Sequence, residues 1–511
     1  MMASMAPVKR RKLLIFVIAY RAESTLQRVL ERIPSALFKE YDSEILVVDD
    51  ASSDRTFEIG QEYKAAHPEI PLTVLRNDFN QGYGGNQKVG YGYAIAEKFD
   101  FVAMVHGDGQ YAPEELPRLL EPLKKGEADA VFGSRMMTRF GALKGGMPLY
   151  KFVGNKILTT VQNAMLGSKL SEFHSGYRIY SVWALAQIPF RLNSNDFHFD
   201  TEIIVQLLNA EQRIVELSIP TFYGDEICRV NGMKYAKDVL FATAQNSLHR
   251  AGLMYQRRFD VSEGQEASHL KLGFPSSHSF AVAAVPSGAR AVDIGGRVDG
   301  IAQALKDKGV DVAVVRENKG DLSPGIRLLK QNLDAPLAVD VSNFSHLLLL
   351  DVLDHVKDPE KFVDDLRKQF DFTPRTAIIT TGNVAFFIPR LMMLVGEFNQ
   401  GRVGTLERTH TRLFNTRRLR QLLVDAGFRI KKVRGVPAPF PLALGDNGLS
   451  RAAIAVNEAL IRLSPGLFAY QIYIEAESTP NADFVLEAAR QAGTRTSTNG
   501  HAHHENGARL S

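Results

Sequence analysis

The first 135 residues alternate between short apolar runs and segments with helical spacing, and this alternation is the strongest constraint on the fold. Apolar runs of strand length lie at 13–20, 44–48, 72–75, 101–105 and 128–132. Between them, segments such as 24–33 place apolar side chains three and four residues apart, as an amphipathic helix does. The alternation predicts a mostly parallel, doubly wound α/β sheet.

One segment, FVAMVHGDGQYAPEEL (101–116), passes from a buried strand through a polar loop into a helix that opens with Pro113. Asp108 therefore lies at the carboxyl end of the strand, between Gly107 and Gly109. Ligands of open α/β sheets bind at this edge, and a carboxylate there can hold a divalent cation that in turn holds a diphosphate. The alternative is that Asp108 and Gly109 only form a turn before the helix.

Other strands of the same half also end in polar or glycine-rich sequence, which one edge of the sheet would gather. Carboxylates, glycines and an arginine at one edge suit a nucleotide diphosphate held through a metal ion. The segment after the first strand contains no glycine, which argues against a dinucleotide-binding turn, and no P-loop motif is present. The groups concerned are Asp49 and Asp50, the turn Asn80–Asn86 with Gly82, Asp108, and Arg135.

Composition excludes several classes of protein. The 61 Lys and Arg against 57 Asp and Glu give a net charge of +4, so we expect no nucleic-acid partner. The single cysteine, Cys228, rules out a disulfide framework and fits a reducing cytosol. No apolar run approaches the roughly 20 residues that span a bilayer. We expect a cytoplasmic protein, which would meet any lipid substrate peripherally, at the membrane surface or through a membrane partner.

A second α/β pattern begins at AVDIGG (291–296) and repeats the alternation of strands and helices to about residue 478. Between the two patterns the chain loses periodicity and gathers Ser, Gly, Gln and Pro, which is typical of a linker. The last residues have the composition of a disordered tail. The expected division is a basic N-terminus (1–11), a first domain (12–255), a linker (256–288), a second domain (289–478) and a tail (479–511).

Six segments of the first half, in order and spacing, resemble family 2 glycosyltransferases of the GT-A fold. They are VIAYRAESTL, VVDDASSDRT, NQGYGGN, HGDGQYAPEEL, FGSR and SGYRIY, and they cover roughly Lys12 to Arg250. The branch they resemble most is that of the polyprenyl-phosphate sugar transferases, similar to dolichyl-phosphate mannose synthase. The resemblance implies metal-assisted, inverting transfer from a nucleotide sugar to a polyprenyl phosphate or a growing glycan of the cell surface.

The resemblance also assigns roles by position. It places Ala19, Tyr20 and Glu23 at the nucleotide base, Asp50 near the base and ribose, and Gly82 in the substrate-binding turn. Asp108 matches the second carboxylate of a D-x-D motif that binds Mg²⁺ or Mn²⁺, and Gln110 matches the glutamine after it. Arg135 and Arg178 match arginines that face phosphates, and these would neutralise charge on the departing diphosphate.

Two positions leave alternatives open. His106 stands where the first D-x-D carboxylate is expected, and it is either a metal ligand suited to Mn²⁺ better than Mg²⁺ or a packed histidine. An acceptor hydroxyl would need a base, for which Asp200 and Glu202 in FHFDTEII are candidates. With strand spacing these two carboxylates share a face. The alternative is that they form only a polar edge of a strand or helix.

The second half resembles class I S-adenosylmethionine methyltransferases over roughly Ala291 to Phe440. The segments are AVDIGGRVDGIAQAL, LLLLDVLDHVKDPEKFVDDL and ERTHTRLFNTRRLRQLLVDAGF. The resemblance implies cofactor contacts from Asp293, Gly295 and Asp351. Arg297 and Asp299, however, stand where glycines are expected, which favours a degenerate domain used for assembly or acceptor recognition.

Three hypotheses follow. The first is a glycosyltransferase that uses a nucleotide sugar and a divalent cation. The second is a bifunctional enzyme that also methylates the sugar or its carrier with S-adenosylmethionine. The third is a non-catalytic nucleotide-sugar-binding scaffold, which His106 and the altered glycine motif permit.

Overall fold

The computed structural model describes residues 10–138, 141–220, 231–261, 270–296, 298–317, 322–370 and 373–479, with 485, 486 and 489. These residues divide into two compact units, formed mainly by residues 10–250 and by residues 270–479. The prediction of two doubly wound α/β units is confirmed. Most of the predicted basic N-terminus and of the predicted tail lies outside the described residues.

Seven described strands of the N-terminal unit form one sheet in the order β3-β2-β1-β4-β6-β5-β7. Every pairing is parallel except those of β6, which runs antiparallel to both β4 and β5. The apolar runs of β1 and β4 are buried on both faces, as central parallel strands require. The strands are β1 (Lys12–Ala19), β2 (Asp42–Asp49), β3 (Leu72–Arg76), β4 (Phe101–His106), β5 (Ala130–Ser134), β6 (Arg178–Ser181) and β7 (Ile214–Ser218).

Helices cover both faces of this sheet, and two apolar clusters, one on each face, form the core. The described residues of the glycine-rich segment 138–150 include a short helix. The helices are α1 (Leu26–Glu31), α2 (Ala36–Glu40), α3 (Thr56–Ala66), α4 (Tyr83–Ala96), α5 (Leu116–Lys124), α6 (Gly141–Lys144), α7 (Leu149–Leu166), α8 (Val182–Ala186), α9 (Phe199–Asn209) and α10 (Gly232–Arg250).

The segment FHFDTEII is helical and not extended, so the predicted strand spacing of Asp200 and Glu202 is wrong. Every residue of α9 from Phe199 to Leu207 is buried, because the helix packs against α4 and α10 and Thr201 lies 3.5 Å from Gln162 of α7. A helix that is buried on all sides shows no amphipathic period, and this hides it in the sequence. Residues two apart on a helix point in different directions, so the two carboxylates face different partners.

Seven described strands of the C-terminal unit form a sheet in the order β10-β9-β8-β11-β12-β14-β13, in which β14 runs antiparallel to both neighbours. The strands are β8 (Arg290–Ile294), β9 (Asp311–Arg316), β10 (Arg327–Lys330), β11 (His346–Leu350), β12 (Thr376–Gly382), β13 (Phe428–Val436) and β14 (Gln471–Ser478). The helices are α11 (Ser277–Ala284), α12 (Asp299–Asp307), α13 (Pro359–Lys368), α14 (Phe387–Leu394), α15 (Thr416–Asp425), α16 (Phe440–Leu444), α17 (Gly448–Leu463) and α18 (Pro465–Phe468).

The segment expected as a linker is partly structured. Within it, α11 begins with a capping box in which Ser276 and Ser279 bond each other's backbone amides, and Ala281 is buried in the C-terminal unit. Among the described residues, no helix has the length and apolar character needed to cross a membrane.

Candidate active site

The carboxyl ends of β2, β1 and β4 lie side by side in the N-terminal sheet. Ala19 pairs with Asp49, and Ile18 pairs with His106. The chain order reverses at β1, because β2 and β3 extend to one side and β4 to the other, and ligands of open α/β sheets bind at such a switch point. This edge is therefore the candidate active site.

Two non-glycine residues at this edge have left-handed backbone conformations, which usually cost energy. Arg21 follows β1 with φ 51°, and Ala51 follows β2 with φ 55°. The Arg21 amide donates to Ser52 Oγ at 2.8 Å, which joins the two strained turns. Beside them Ala19 is buried, whereas Tyr20 is 39% exposed.

Two of the predicted nucleotide-binding residues have identifiable structural contacts. Glu23 is exposed, and its Oε2 accepts the Arg55 amide at the start of α3 at 2.9 Å. Asp50 is buried, and its Oδ1 accepts the Gln81 amide and Asn77 Nδ2, each at 2.8 Å. Its Oδ2 accepts the Gly82 amide at 3.0 Å. The Asp50 carboxylate thus ties the glycine-rich turn to the end of β2.

The glycines of this turn allow close contact with the segment around Asn195. The Gly84 amide donates to Asn195 O at 2.8 Å. Gly82 has φ 79°, and a Cβ there would lie 2.6 Å from Asn195 O. A Cβ on Gly84 would lie 2.5 Å from Ser194 O. The backbone amides of the turn are therefore bound by protein, and the glycines are required by packing.

Asp108 is exposed in the loop after β4, where a ligand could reach it. Its Oδ1 accepts the Gln110 amide at 2.9 Å, and Gly109 has φ 78°. Thr25 Oγ1 donates to Gly107 O at 2.7 Å and fixes the start of the loop. The structure therefore presents Asp108 and Gln110 together at the candidate site.

His106 belongs to a buried polar chain. Its Nε2 lies 3.4 Å from Tyr83 Oη, which donates to Asp200 Oδ2 at 3.1 Å. Burial lowers the pKa of His106 in spite of the nearby Asp108 carboxylate, so its imidazole is neutral at pH 7. Burial, reinforced by Asp200, raises the pKa of Tyr83 well above its ordinary value. This arrangement favours the packed, hydrogen-bonded role for His106 over the ligand role.

Arg178 is 1% exposed, and its guanidinium is surrounded by protein. It donates to Ser175 O at 2.9 Å, to Phe173 O at 2.9 Å and to Asp200 O at 3.1 Å. Nη2 also lies 3.7 Å from Asp200 Oδ2. Although burial opposes its charge, the Asp200 carboxylate holds the pKa of Arg178 above its ordinary value. In this position Arg178 braces the loop before β6, and its side chain does not point to solvent.

Arg135 likewise has a buried protein partner, Glu172. Arg135 Nε donates to Glu172 Oε1 at 3.0 Å, and the Arg135 amide donates to Oε2 at 2.8 Å. Although burial alone would raise it, the Arg135 charge holds the pKa of Glu172 below its ordinary value. Arg135 Nη2 also donates to the carbonyl of His174 at 3.0 Å. The arginine expected to face a phosphate thus forms a buried ion pair.

The two carboxylates predicted as alternative bases both have protein partners. Asp200 accepts hydrogen bonds from Tyr83 and from Gln87 Nε2, the latter at 3.1 Å. Glu202 is fully buried, pairs with Arg258 and accepts the amide of Ser194. Neither side chain is open to solvent, and protein groups bind both carboxylates.

In the C-terminal unit, a cavity of about 240 Å³ lies at the carboxyl ends of β8, β9 and β11. Gly295 and Asp351 line it, together with Glu317 and Asp334, whereas Asp293 is buried in β8. Asp351 accepts Thr380 Oγ1 at 3.0 Å and Gln471 Nε2 at 2.8 Å. Arg297 lies outside the described residues, as does the side chain of Asp299.

Several residues of the candidate site were not singled out from the sequence. Tyr83 and Gln87 are one turn apart on α4, and this i, i+4 spacing within NQGYGGNQ is a signal that could have paired them. Glu172 carried no local signal, because its partner Arg135 lies 37 residues away. Tyr111 is likewise bonded to a residue far along the chain, because its hydroxyl oxygen accepts a hydrogen bond from the Gly176 amide at 2.8 Å.

Comparisons with known proteins match this unit. A model of Glycosyl transferase family 2 matches residues 14–188. An undecaprenyl-phosphate mannosyltransferase of Micrococcus luteus is 30% identical over 204 residues, 40% of this chain and 78% of the relative. A polyprenol monophosphomannose synthase of Mycolicibacterium smegmatis is 27% identical over 226 residues, 44% of this chain and 82% of the relative.

Among solved structures, glucosyl-3-phosphoglycerate synthase of Mycobacterium tuberculosis with Mn²⁺ and uridine diphosphate aligns with 46% of this chain and 78% of its own. The sequence identity is 17% and the TM-score is 0.35. An overlap at that level carries no weight for the activity of this chain.

Proposed function

The chain belongs to glycosyl transferase family 2, and from that premise we propose that its N-terminal unit transfers a sugar from a nucleoside-diphosphate donor to a polyprenyl phosphate. The names of two relatives, an undecaprenyl-phosphate mannosyltransferase and a polyprenol monophosphomannose synthase, support this acceptor. The sugar and the nucleotide base stay open.

The observation that carries the choice of acceptor is the burial of both candidate bases. A hydroxyl acceptor must lose a proton to a nearby base, whereas a phosphate acceptor is already anionic. Asp200 is bound by Tyr83 and Gln87, and Glu202 is paired with Arg258. An acceptor that needs no base fits this arrangement better than a glycan hydroxyl does.

The reaction we propose is a single displacement with inversion. An oxygen of the acceptor phosphate attacks C1 of the sugar and forms the new C–O bond. The bond from C1 to the β-phosphate oxygen of the donor breaks, and its electron pair stays on the departing nucleoside diphosphate. No proton changes place, and one negative charge moves from the acceptor phosphate to the departing nucleoside diphosphate.

Asp108 is the residue that would hold a divalent cation. Mg²⁺ and Mn²⁺ accept one carboxylate together with substrate phosphates, and an exposed carboxylate beside Gln110 fits that donor set. When bound, such a cation would stabilise negative charge on the leaving diphosphate. Asp50 contributes by holding the turn at Gly82, and the Tyr83–Asp200–Arg178 chain contributes by fixing α4, α9 and the loop before β6.

Helix α7 supports a lipid acceptor, because its buried face is polar and its exposed face is apolar. Inside, Asn155 Nδ2 donates to Glu172 Oε1 at 2.8 Å, and Gln162 Nε2 lies 3.4 Å from Thr243 Oγ1. Outside, the apolar side chains recur every four residues. They are Leu149 (67% exposed), Val153 (45%), Ile157 (59%) and Val161 (38%), with Tyr150 beside them. We call this set the α7 stripe.

The charge of α7 also suits an anionic membrane surface. The helix contains Lys151 and Lys156 and no Asp or Glu. A helix with an exposed apolar face and basic flanks lies in the membrane interface. We therefore propose that the α7 stripe rests on the membrane and brings the site to the polyprenyl phosphate.

The test of the transfer is incorporation of labelled sugar from guanosine or uridine diphosphate sugars into lipid acceptors. We expect label in polyprenyl phosphate and none in polyprenol, which lacks the phosphate. Equal labelling of polyprenol would contradict a base-free mechanism. If no donor is used although a nucleoside diphosphate raises the unfolding temperature, the hypothesis of a non-catalytic nucleotide-sugar-binding scaffold becomes the better one.

The test of the α7 stripe is flotation with vesicles of phosphatidylcholine and phosphatidylglycerol. We expect the protein to float with anionic vesicles and the Val153→Asp, Ile157→Asp double variant to stay in solution. Val456→Asp is the matched control, because Val456 is 61% exposed on α17 of the other unit. Equal flotation of all three proteins would contradict this part of the proposal.

Methyl transfer by the C-terminal unit has less support. The cavity at its sheet edge has the right position, but about 240 Å³ is below the roughly 300–1,000 Å³ of small-molecule sites. Three carboxylates and one guanidinium line the cavity, and this excess of negative charge would repel the cofactor carboxylate; they are Glu317, Asp334, Asp351 and Arg316. The described residues thus fit S-adenosylmethionine poorly. Calorimetry with the cofactor should show no heat of binding, and a saturable signal would revive the bifunctional hypothesis.

A further inference from the structure

A cluster of two histidines and two carboxylates lies in the C-terminal unit, apart from the candidate active site of the N-terminal unit. Asp354 and His355 belong to the turn between β11 and α13, and Glu407 and His410 belong to the connection between α14 and α15. One ligand atom each of Asp354, His355 and His410 lies within 4.8 Å of the other two.

The distances among Asp354, His355 and His410 are close to those between the ligands of a metal ion. His410 Nε2 lies 3.4 Å from Asp354 Oδ2. Ligand atoms about 2.05 Å from a tetrahedral ion are about 3.4 Å apart, so this pair already has the required separation. The two pairs that include His355 are at most 4.8 Å apart, so their separations must shorten by at most about 1.4 Å. Rotation of the side chains can supply this change.

Asp354 gives a second, independent indication. The residue is 2% exposed, and its Oδ1 is buried with no hydrogen-bond partner among the described residues. Its Oδ2 accepts Thr381 Oγ1 at 2.9 Å. A buried carboxylate oxygen left without a donor costs free energy, and a bound cation would remove that cost.

The backbone around the cluster is held in place before any ion binds. The Thr411 amide donates to Asp354 O at 2.8 Å, and Thr411 Oγ1 donates to Val356 O at 2.6 Å. These bonds fasten the segment that carries His410 to the turn that carries Asp354. The ligands therefore come from two segments whose relative position is already fixed, which lowers the entropy lost on binding.

Glu407 stands beside this set and not within it. Its Oε2 lies 4.0 Å from His355 Nε2 and 3.9 Å from His410 Nε2. Lys271, which is partly buried, lies near both Glu407 and Asp351 and offsets part of their negative charge. His355 lines the cavity of about 240 Å³, which gives an ion a path from solvent.

We propose that Asp354, His355 and His410 bind a divalent transition-metal ion of the Zn²⁺ class, with the fourth position open toward the cavity. Two imidazoles suit Zn²⁺ and its neighbours in the first transition series, whereas Mg²⁺ prefers oxygen ligands alone. The ion would link the β11–α13 turn to the α14–α15 connection. This site is independent of the cation proposed at Asp108.

The test is calorimetric titration of chelator-treated, full-length protein with Zn²⁺. Because His501, His503 and His504 could also bind the ion, the titration is repeated with all three changed to alanine. We expect that variant to retain one site per chain. His198→Ala, which disrupts the other described cluster (Asp196, His198 and Asp238), is the matched control and should also retain it.

Asp354→Asn and His410→Ala, each in the tail variant, should lose this site, and Asp354→Asn keeps the volume of the side chain. Unchanged stoichiometry in both would overturn the proposal. Because either substitution could impair folding, X-ray absorption spectroscopy of the Zn²⁺-loaded tail variant provides a second measurement. It should show two imidazole ligands, and a shell of oxygen ligands alone would also overturn the proposal.

Discussion

Tyr83 on α4 donates a hydrogen bond to Asp200 on α9 at 3.1 Å, and this bond joins the two helices beneath the candidate active site. The same carboxylate lies 3.7 Å from the guanidinium of Arg178, which is 1% exposed. Because Asp200 and Arg178 are buried and Tyr83 is half-buried, we expect their main contribution to be to the position of the surrounding segments.

Removing the charge of Asp200 should therefore cost stability. Asp200→Asn leaves the Arg178 cation buried without its carboxylate, which costs about 3 kcal/mol. Tyr83→Phe removes one hydrogen bond and should cost about 1 kcal/mol. Urea unfolding followed by tryptophan fluorescence measures both, because the only tryptophan of the chain, Trp183, lies in α8 of the N-terminal unit. A larger loss for Tyr83→Phe than for Asp200→Asn would contradict this account.

Asp108→Asn should have little effect on stability and a large effect on the rate of sugar transfer. The side chain is exposed, so we expect a stability change within about 0.5 kcal/mol. Loss of the proposed cation should lower the rate of sugar transfer about 10²- to 10³-fold. Asp42→Asn is the matched control, because Asp42 is exposed at the opposite end of β2 and should transfer sugar at the normal rate. Equal rates for the two variants would remove Asp108 from the site.

Gly84→Ala should destabilise the N-terminal unit. Its Cβ would lie 2.5 Å from Ser194 O and 2.6 Å from Phe199 Cβ, so the segment must move, at a cost of about 1–3 kcal/mol. Gly92→Ala, on the same helix, meets only Arg191 Nη2 at 4.0 Å and should stabilise by about 0.5–1 kcal/mol. Unfolding of the two variants followed by Trp183 fluorescence should give changes of opposite sign, and destabilisation by both would contradict the steric account.

Acidification should weaken the N-terminal unit through His174. Burial lowers the pKa of His174 to about 4, although the nearby Glu172 carboxylate acts in the opposite direction. His174 Nδ1 lies 2.8 Å from Tyr235 Oη. The unfolded histidine binds a proton near pH 6.5, so stability falls as the pH drops from 6.5 toward 4. At pH 5 the loss should be about 2 kcal/mol.

The matched variant for this effect is His174→Gln, which cannot titrate. As the pH falls from 7.5 to 5, wild type should lose more unfolding free energy than the variant. Any stability advantage of wild type at pH 7.5 should therefore shrink, or the variant should become the more stable protein. Because the neighbouring groups Glu172, Arg135 and Arg178 are present in both proteins, their titration largely cancels in this comparison. Parallel pH profiles would show that His174 does not contribute.

The sequence allowed the parallel strands and the site edge to be predicted, because both depend on local patterns. The apolar run of β4 and the polar residues after it placed Asp108 correctly at the edge of the sheet. By contrast, α9 is buried on every side and has no amphipathic period, so its local pattern resembled a strand. Strand β13 is buried only at its two ends, Phe428 and Val436, and its exposed lysines and arginines leave no apolar run in the sequence.

The partners of the arginines could not be predicted, because they depend on long-range packing. Arg135 and Arg178 lie at the motif positions where arginines were expected. Arg135, however, pairs with Glu172, and Arg178 donates to the carbonyl of Phe173, and both contacts depend on how distant segments meet. A motif specifies a residue type at a position, whereas the burial of its side chain is decided by the rest of the fold.

Strand β6 runs against its two neighbours, and so its first residue, not its last, lies at the functional edge. Insertions ahead of Arg178 would therefore reshape the pocket, whereas insertions after Ser181 would fall at the opposite rim. The residues proposed to contact the donor follow strands that run the other way. Under the proposed function, natural or engineered length changes between α7 and β6 should therefore alter acceptor choice more than nucleotide recognition.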